Sequence, residues 1–267
     1  MVSLLLPVIY LAFISLGLPD SLLGSAWPVM YPELGTSVSS AGIISMIIAA
    51  GTIVSSLNSD RLNTRFGTGK ITAVSVLTTA VALFGFSVSH SFLALCLWGI
   101  PYGLGAGSVD AALNNYVALH YKARHMSWLH CFWGVGAMAG PLIMSQYMSL
   151  GVDWRMGYLT VAIIQFVLVA VLIATLPLWN KVAEKTSQKK QEADANGENP
   201  GEPEREADLD PPIASGKGGF LGPLKIKGAK VALISFFLYC GVEMTLGLWG
   251  SSFLITEKGI DAAAAAQ

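Results

Sequence analysis

The chain has 267 residues, of which 53% are hydrophobic and 12% are charged, and its formal net charge is −1. An ordinary soluble domain carries about 25% charged residues, so this composition excludes a water-soluble globular protein. The near-zero net charge carries no information on partners. We expect the lipid bilayer, and not a nucleic acid, to be the main surrounding of the chain.

Seven apolar segments are long enough to cross a hydrocarbon core of roughly 30 Å as helices. In chain order they cover residues 3–31, 38–58, 70–89, 92–120, 126–149, 156–179 and 230–256. The sequence therefore predicts an all-α integral membrane protein. The first Lys or Arg of the chain is Arg61. The start therefore lacks the basic region of a cleaved signal peptide, and we expect the first segment to be retained as a membrane helix.

Basic residues between the segments indicate the orientation of the chain. With the N-terminus on the cytoplasmic side, only Arg155 and Lys258 among the Lys and Arg residues fall on the outer side. Cytoplasmic loops of membrane proteins are enriched in Lys and Arg. The sequence therefore predicts a multi-pass protein of the cell membrane with a cytoplasmic N-terminus and, after seven spans, an outer C-terminus.

A charged stretch separates the sixth segment from the seventh. Residues 180–229 are rich in charged residues, Gly and Pro and hold few large apolar residues, which is the composition of a disordered linker. The sequence thus predicts a six-helix transmembrane bundle over 1–179, a cytoplasmic linker over 180–229, and a seventh helix with the start of an eighth over 230–267. Asp261 before a run of Ala is the predicted N-cap of that eighth helix.

Three acidic residues lie inside apolar segments: Asp20 in the first, Asp110 in the fourth and Glu243 in the seventh. A carboxylate in hydrocarbon costs roughly 2.5–3.5 kcal/mol on insertion scales, so such acids are typical of proton relays and polar substrate contacts. Asn114 follows Asp110 by four residues and therefore shares its helix face. The alternative is that the three acids only bond polar partners between helices.

The stretch after the second segment carries a recognisable motif. It reads SLNSDRLNTRFGTGK, which is similar to the Gly-x-Leu-Ala-Asp-Arg-x-Gly-Arg-Lys signature of the major facilitator superfamily. Asp60 and Arg61 match the central pair of that signature, and Arg65 matches its final basic position. The order of six helices, a hydrophilic linker and further helices also resembles this superfamily.

The seventh segment resembles a narrower group. Its FFLYCGVEMTLGLWG is similar to the Tyr-x-Gly-x-Glu-x5-Trp pattern of sugar-type facilitators, including relatives of the fucose:proton symporters. The matching residues are Tyr239, Gly241, Glu243 and Trp249. The resemblance implies a major-facilitator-like six-helix bundle plus a seventh transmembrane helix, with the second half of the usual twelve-helix architecture truncated.

The resemblance also implies a function, that of a secondary active transporter whose first, fourth and seventh helices line a central cavity. No Lys or Arg lies deep within a segment, so an anionic substrate would lack a cationic partner. We therefore expect proton-coupled uptake of a neutral sugar or similar small polar solute, with no cofactor, no metal and no enzymatic activity. The expected substrate- and proton-binding residues are Asp20, Asp110, Asn114, Glu243 and Trp249. The expected cytoplasmic latch between the two bundles consists of Asp60, Arg61 and Arg65.

Other side chains suggest secondary roles. Gly136 and Gly140 predict close helix packing, since small residues four apart let two helices approach. Among the histidines, His130 lies inside the fifth segment and is a candidate for a pH-sensitive group. Aromatic side chains that could stack on a sugar, besides Trp249, are Trp27, Trp98 and Tyr102.

Four alternatives stay open. Proton-coupled efflux of cationic drugs suits an acidic cavity, although the fourth segment has Gly99 where drug antiporters of the superfamily carry Arg. A seven-helix receptor would have the opposite orientation, and an intramembrane enzyme would need a nucleophile–base pair or metal ligands. A facilitator uses two six-helix halves. The chain is thus also compatible with an inactive or split half-transporter that pairs with a second chain or with its own copy.

Overall fold

A computed structural model describes residues 2–195, 226 and 228–267, and over these residues the chain is α-helical with no strand. The class predicted from the sequence, an all-α membrane protein, is confirmed. In chain order the helices are α1 (Val2–Gly17), α2 (Leu22–Glu33), α3 (Ala41–Phe66), α4 (Thr68–Ser87), α5 (Phe92–His120), α6 (Ala123–Ser149), α7 (Arg155–Ala195), α8 (Ala229–Lys258) and α9 (Ala262–Ala265). A short 3-10 turn, Val38–Ser40, precedes α3.

Six stretches of the described chain are long and apolar enough to cross a membrane. They are Leu5–Glu33, Val38–Phe66, Thr68–Ser87, Phe92–His120, Arg155–Trp179 and Ala229–Lys258. These stretches correspond to the first four, the sixth and the seventh predicted segments. The fifth predicted segment is α6, which is long enough but less apolar, because Gly, His and Trp occupy many of its positions. A membrane crossing by α6 stays a prediction, supported by its packing along α1.

The first predicted segment, 3–31, is not one continuous helix. It consists of α1 and α2, separated by a turn over residues 18–21. Pro19 lacks a backbone N–H, which removes one helical hydrogen bond and interrupts the helix. Inside the turn, the N–H of Asp20 donates to the carbonyl of Gly17 at 3.1 Å, a tighter pattern than that of an α-helix.

The predicted loop after the second segment is also helical, because α3 continues to Phe66. Its polar residues stay in the helix by bonding back to the preceding turn, as when Asn58 Nδ2 donates to the carbonyl of Val54 at 2.8 Å. Gly67 alone separates α3 from α4, with a φ of +82° that other residues rarely adopt. The signature residues therefore lie on the last turns of a helix and not in a loop.

The helix of the sixth predicted segment continues into the stretch predicted as a linker. The sixth segment is α7, and this helix extends to Ala195, sixteen residues past the boundary placed at 179. Residues 180–195 are rich in Glu, Lys, Gln and Ala, which are good helix formers. Residues 196–225 and 227 lie outside the described residues, and the division into three parts stays a prediction.

A close crossing joins α1 and α6. A Cβ atom at Gly136 would lie 2.1 Å from the carbonyl oxygen of Ile14, and one at Gly140 would lie 1.9 Å from that of Leu18. Such distances are shorter than any real contact, so only glycine allows the two backbones to meet here. The predicted packing role of Gly136 and Gly140 is confirmed.

A second crossing, between α3 and α5, has the same plan. A Cβ atom at Gly103 would lie 2.1 Å from the carbonyl oxygen of Ile48, and one at Gly107 would lie 2.3 Å from that of Thr52. Two glycines four residues apart again face two carbonyls four residues apart. The hydroxyl of Thr52 also donates to the carbonyl of Gly103 at 3.3 Å.

The two C-terminal helices pack against α2 and α6. α8 crosses α2 where Gly24 meets Gly247, and α9 packs on α6, where the hydroxyl of Ser145 donates to the carbonyl of Ala263 at 2.6 Å. The predicted N-cap Asp261 is confirmed, since its carboxylate accepts from the N–H of Ala263 at 3.0 Å. This packing places the seventh predicted helix beside the first.

Candidate functional site

The three acids of the apolar segments converge in the structure. Asp20 lies in the turn between α1 and α2, Asp110 in the middle of α5, and Glu243 in the middle of α8. The carboxylate of Asp20 is within electrostatic range of those of Asp110 and Glu243. Asp20 and Asp110 are exposed at the surface of the described bundle and Glu243 is half-buried, so a polar ligand can reach all three.

Aromatic groups with polar atoms surround Asp20. The indole of Trp133 on α6 lies close enough to interact favourably with the carboxylate of Asp20. The phenol of Tyr102 on α5 is also within electrostatic range of that carboxylate. The close crossing of α1 and α6 brings Trp133 to this position, since a Cβ atom at Gly17 would lie 2.2 Å from the carbonyl oxygen of Trp133. Sequence reasoning missed Trp133, whose only signal is its place one turn before Gly136.

Asp110 has a partner on its own helix and one on α6. The side-chain amide of Asn114 donates to Asp110 Oδ1 at 2.9 Å, as the four-residue spacing predicts. The imidazole of His130 is within electrostatic range of the same carboxylate. The ring of Phe13 meets His130 edge to face, with centroids 6.2 Å apart. The structure thus groups His130 with the acid of the fourth predicted helix.

Glu243 on α8 contacts a second residue of the sugar-type pattern. The hydroxyl of Tyr239 donates to Glu243 Oε1 at 3.2 Å, which joins two residues of the sugar-type pattern. Trp249 is partly buried and packs over Gly42 of α3, 3.7 Å from the place of a Cβ atom there. The structure therefore gives Trp249 a contact between helices, and a role in stacking on a ligand stays a prediction.

The other aromatic candidates divide between packing and the site. Trp27 is fully buried, and its indole donates to the carbonyl of Val38 at 2.7 Å. Trp98 lies against Gly85, where a Cβ atom would come within 2.1 Å of the indole. Both side chains hold helices together. Tyr102 alone among Trp27, Trp98 and Tyr102 approaches an acid of the site.

The residues of the predicted latch lie together at the C-terminal end of α3. Asp60, Arg61 and Arg65 are all exposed. The guanidinium of Arg65 lies over the ring of Phe66, 5.3 Å from its centroid. Within the described part of the chain, Asp60 and Arg61 form no ion pair. A latch between bundles thus stays a prediction.

A charged cluster that sequence reasoning missed lies at the opposite end of the bundle. Arg155 is buried and forms ion pairs with Glu33 at 2.7 Å and with Asp153 at 2.9 Å. Its Nε donates to the carbonyl of Ser89 at 3.0 Å, and the indole of Trp154 donates to Glu33 at 2.8 Å. The cluster ties the end of α2 to two loops. Ser89 and Glu33 lie 66 and 122 residues before Arg155 in sequence, so no local pattern reveals these contacts.

The chemistry of the site follows from its groups. Carboxylates, an amide, a phenol and an indole N–H can donate and accept hydrogen bonds with hydroxyl groups, and the carboxylates can take up protons. No Lys or Arg is among the partners found for the three acids in the described residues. The same residues contain no group of three His, Cys, Asp or Glu suited to hold a metal ion.

Comparison with known proteins places this sequence in a family. Residues 9–267 match the sequence model of the Major Facilitator Superfamily. Bypass of stop codon protein 6 of Saccharomyces cerevisiae is 25% identical over 252 residues, which are 92% of this chain and 49% of that protein. The cis,cis-muconate transport protein of Acinetobacter baylyi is 28% identical over 53% of this chain and 34% of its own length. The glucose/mannose transporter GlcP of Bacillus subtilis is 20% identical over 60% of this chain and 40% of its own.

The fold has a counterpart among solved structures. A D-xylose-proton symporter superimposes with a TM-score of 0.62 at 14% identity, and the match covers 98% of this chain and 63% of that one. At this identity the likeness concerns the fold alone. The chain spans about half the length, or less, of the curated relatives it matches. Because the family match covers almost all of its residues, the chain belongs to the major facilitator superfamily.

Proposed function

We propose that this chain contributes the first half and the seventh helix of a proton-coupled transporter that takes up a neutral sugar or a similar small polar solute. The observation that carries the proposal is the convergence of Asp20, Asp110 and Glu243 from α1–α2, α5 and α8. Acids from one turn and two separate helices come within electrostatic range of one another at the surface of the described bundle. An intramembrane acid is costly and is a functional group by default.

The substrate class rests on which groups surround the acids. Asn114, Tyr102 and Trp133 add hydrogen-bonding groups of the kind that recognise hydroxyls. A dicarboxylate such as that in the name of the Acinetobacter baylyi relative would meet three carboxylates with no Lys or Arg among their described partners. The names of GlcP and of the D-xylose-proton symporter are consistent with a sugar and with protons.

The mechanism uses the carboxylates as proton acceptors. When the cavity opens to the outer side, a proton neutralises one acid and lowers the cost of burying it as solute binds. When the cavity opens to the cytoplasm, the solute and then the proton leave. We propose Asp20 and Glu243 for proton coupling, because they come from different predicted halves and lie within electrostatic range of each other.

The architecture of the family indicates how the rest of the transporter takes part. Facilitators alternate between two open states as one half rocks against the other around a midplane site. We propose that Asp60, Arg61 and Arg65 close the cytoplasmic side in one state, with the N-terminus in the cytoplasm. A second six-helix half, in the same protein or in a partner chain, completes the cavity.

Uptake into membrane vesicles tests the proposal. Vesicles that hold this chain together with the second half receive an inward proton gradient, and accumulation of labelled neutral hexoses and pentoses is measured beside cis,cis-muconate and a lipophilic cation. We expect Asp20→Asn and Glu243→Gln to abolish gradient-driven accumulation of a sugar while exchange at equal concentrations persists. Glu257→Gln, an exposed acid near the end of α8, is the matched control and should accumulate normally.

Two outcomes would contradict the proposal. Undiminished accumulation in both Asp20→Asn and Glu243→Gln would remove the coupling role of these acids. Proton-driven export of the lipophilic cation, with no movement of any sugar, would favour the efflux of cationic drugs instead.

A further inference from the structure

The break between α1 and α2 leaves the backbone carbonyl of Ser15 without its helical donor. In a continuous helix, the carbonyl of Ser15 would accept from the N–H of residue 19, but that residue is Pro19 and has none. The adjacent bond is intact, since the N–H of Leu18 donates to the carbonyl of Ile14 at 3.0 Å. The orphaned carbonyl lies five residues before Asp20, at the point where the chain leaves the helix.

A side chain from α7 supplies the missing donor. Gln165 Nε2 donates to the carbonyl of Ser15 at 2.9 Å, across 150 residues of sequence. The other end of the same amide is also used, because the hydroxyl of Thr79 on α4 donates to Gln165 Oε1 at 3.0 Å. These two bonds fix which way the amide points, with the nitrogen toward α1 and the oxygen toward α4.

Burial makes the contact specific. Gln165 is 1% exposed and Ser15 is 3% exposed, so bulk water does not reach the orphaned carbonyl. The cavity beside it, lined in part by Ser15, Pro19, Tyr102 and Gln165, has a volume of about 10 Å³, enough for one water at most. A buried polar group without a partner costs about 1–3 kcal/mol by mutational measurement. The amide of Gln165 therefore satisfies a need that the fold creates at this place.

We propose that Gln165 is a positioning residue that holds the end of α1 and thereby sets the location of Asp20. The proposal rests on the proposed function in so far as Asp20 couples solute to protons. Gln165 does not touch the solute. It acts through the carbonyl of Ser15, and its effect depends on Pro19, because only the missing N–H at that residue makes an outside donor necessary.

Hydrogen exchange of the backbone, measured by mass spectrometry on the purified chain, tests the structural part without any substrate. We expect Gln165→Leu to raise the exchange rate of amides 17–22 about five- to tenfold, the value of one hydrogen bond. In a Pro19→Ala background, residue 19 regains an N–H for Ser15, and the same Gln165→Leu change should then have less than about a twofold effect.

Two further variants keep the test decisive. Thr79→Val removes the hydrogen bond to Gln165 Oε1 but keeps the amide. It should therefore give a smaller increase in the exchange rate of the same amides, and this increase should also vanish in the Pro19→Ala background. This variant keeps the proposal testable even if Gln165→Leu fails to fold. Ser55→Ala is the matched control, since it removes a buried contact between α3 and α5 and should leave amides 17–22 unchanged. If Gln165→Leu, or Thr79→Val, has the same effect in the native background as in the Pro19→Ala background, the proposal is overturned.

Transport then separates this proposal from the proposed function. If both hold, Gln165→Leu lowers the maximal rate of proton-driven uptake about tenfold and changes the KM for sugar little, and Pro19→Ala restores part of the rate. If exchange shows the dependence on Pro19 but Asp20→Asn still accumulates sugar, the support of α1 stands and the coupling role of Asp20 fails. If Asp20→Asn abolishes accumulation while Gln165→Leu transports normally, the positioning role fails and the proposed function stands.

Discussion

Gly24 of α2 and Gly247 of α8 meet backbone to backbone. A Cβ atom at Gly24 would lie 1.8 Å from the carbonyl oxygen of Gly247, so no other residue fits at position 24 without separating the helices. Position 247, by contrast, has room for a side chain, because a Cβ atom at Gly247 would lie 3.7 Å from Ser21 Oγ. The contact between the first and the seventh predicted helices is therefore asymmetric, and only Gly24 is sterically required.

A disulfide can report this contact. In a background without Cys96, Cys131 and Cys240, we expect Ser21→Cys with Gly247→Cys to form a disulfide on mild oxidation, since a Cβ atom at position 247 lies 3.7 Å from Ser21 Oγ. After cleavage at a protease site inserted near residue 200, the two fragments should stay together on a non-reducing gel. Adding Gly24→Leu should abolish the link. A link that forms equally well with the Gly24→Leu change present would mean that α8 does not need this crossing.

The crossing of α1 and α6 predicts a sharp difference between two glycines on one helix. Gly136→Leu places a side chain where a carbonyl lies 2.1 Å away, whereas Gly134 has no atom within 4 Å of its Cβ position. We expect Gly136→Leu to lower the free energy of unfolding by about 3 kcal/mol or more, the upper range for overpacking, and Gly134→Leu to change it little. Thermal unfolding of both variants in detergent measures the difference. Similar melting temperatures for the two would contradict the close crossing.

The charged cluster around Arg155 predicts unequal costs in stability for substitutions of Arg155 and Glu33. Arg155 is buried with only 10% of its side chain exposed, whereas 45% of the Glu33 side chain is exposed. Arg155→Met removes the charge partner of both acids and leaves the carbonyl of Ser89 without its donor, and we expect a loss of about 1–3 kcal/mol of stability. Glu33→Gln keeps an acceptor at an exposed position and should cost less than about 1 kcal/mol. Denaturant titration compares them, and a larger effect for Glu33→Gln would show that the acid, not Arg155, organises the cluster.

Neighbouring asparagines on α5 offer a matched pair for the site. Asn114 donates to Asp110 Oδ1, while Asn115 is exposed and lies about 100° further round the helix. We expect Asn114→Leu to lower proton-driven uptake about tenfold, because it removes a hydrogen bond to a carboxylate. Asn115→Leu should transport at nearly the normal rate. Initial rates of sugar uptake at several external pH values measure both, and equal losses would place Asn114 outside the site.

The sequence predicts most of the fold because apolar length and charge asymmetry are local properties. The helix positions, the N-cap at Asp261 and the packing role of Gly136 all follow from nearby residues. The break at Pro19 was predictable in principle from its missing N–H, but a continuous apolar run conceals it. The helical continuation of α3 through Asp60 and Arg61 was not predicted. Polar residues there are compatible with a helix because their side chains form hydrogen bonds to the preceding turn.

The candidate site could be predicted only in part, for the same physical reason. Asp20, Asp110 and Glu243 stand out individually, because each is a costly charge in an apolar segment. Trp133 and Gln165 do not stand out, because an indole or an amide is tolerated in a membrane helix once it finds a partner. Those partners are 113 and 150 residues away in sequence, and only the folded chain reveals them.

The crossing of α1 and α6 also sets an order of events during synthesis. The carbonyl of Ile14 meets Gly136 only after about 120 more residues have been made, which takes roughly 6–24 s at ribosomal speed. The crossing of α3 and α5 closes sooner, since Ile48 and Gly103 are 55 residues apart. The first span, with Asp20 in its turn, is therefore in the insertion machinery or in lipid well before α6 is made. During that time the contact of α1 with α6 is absent. A mutation that delays the insertion of α6 should therefore first increase the fraction of newly made chains that are degraded.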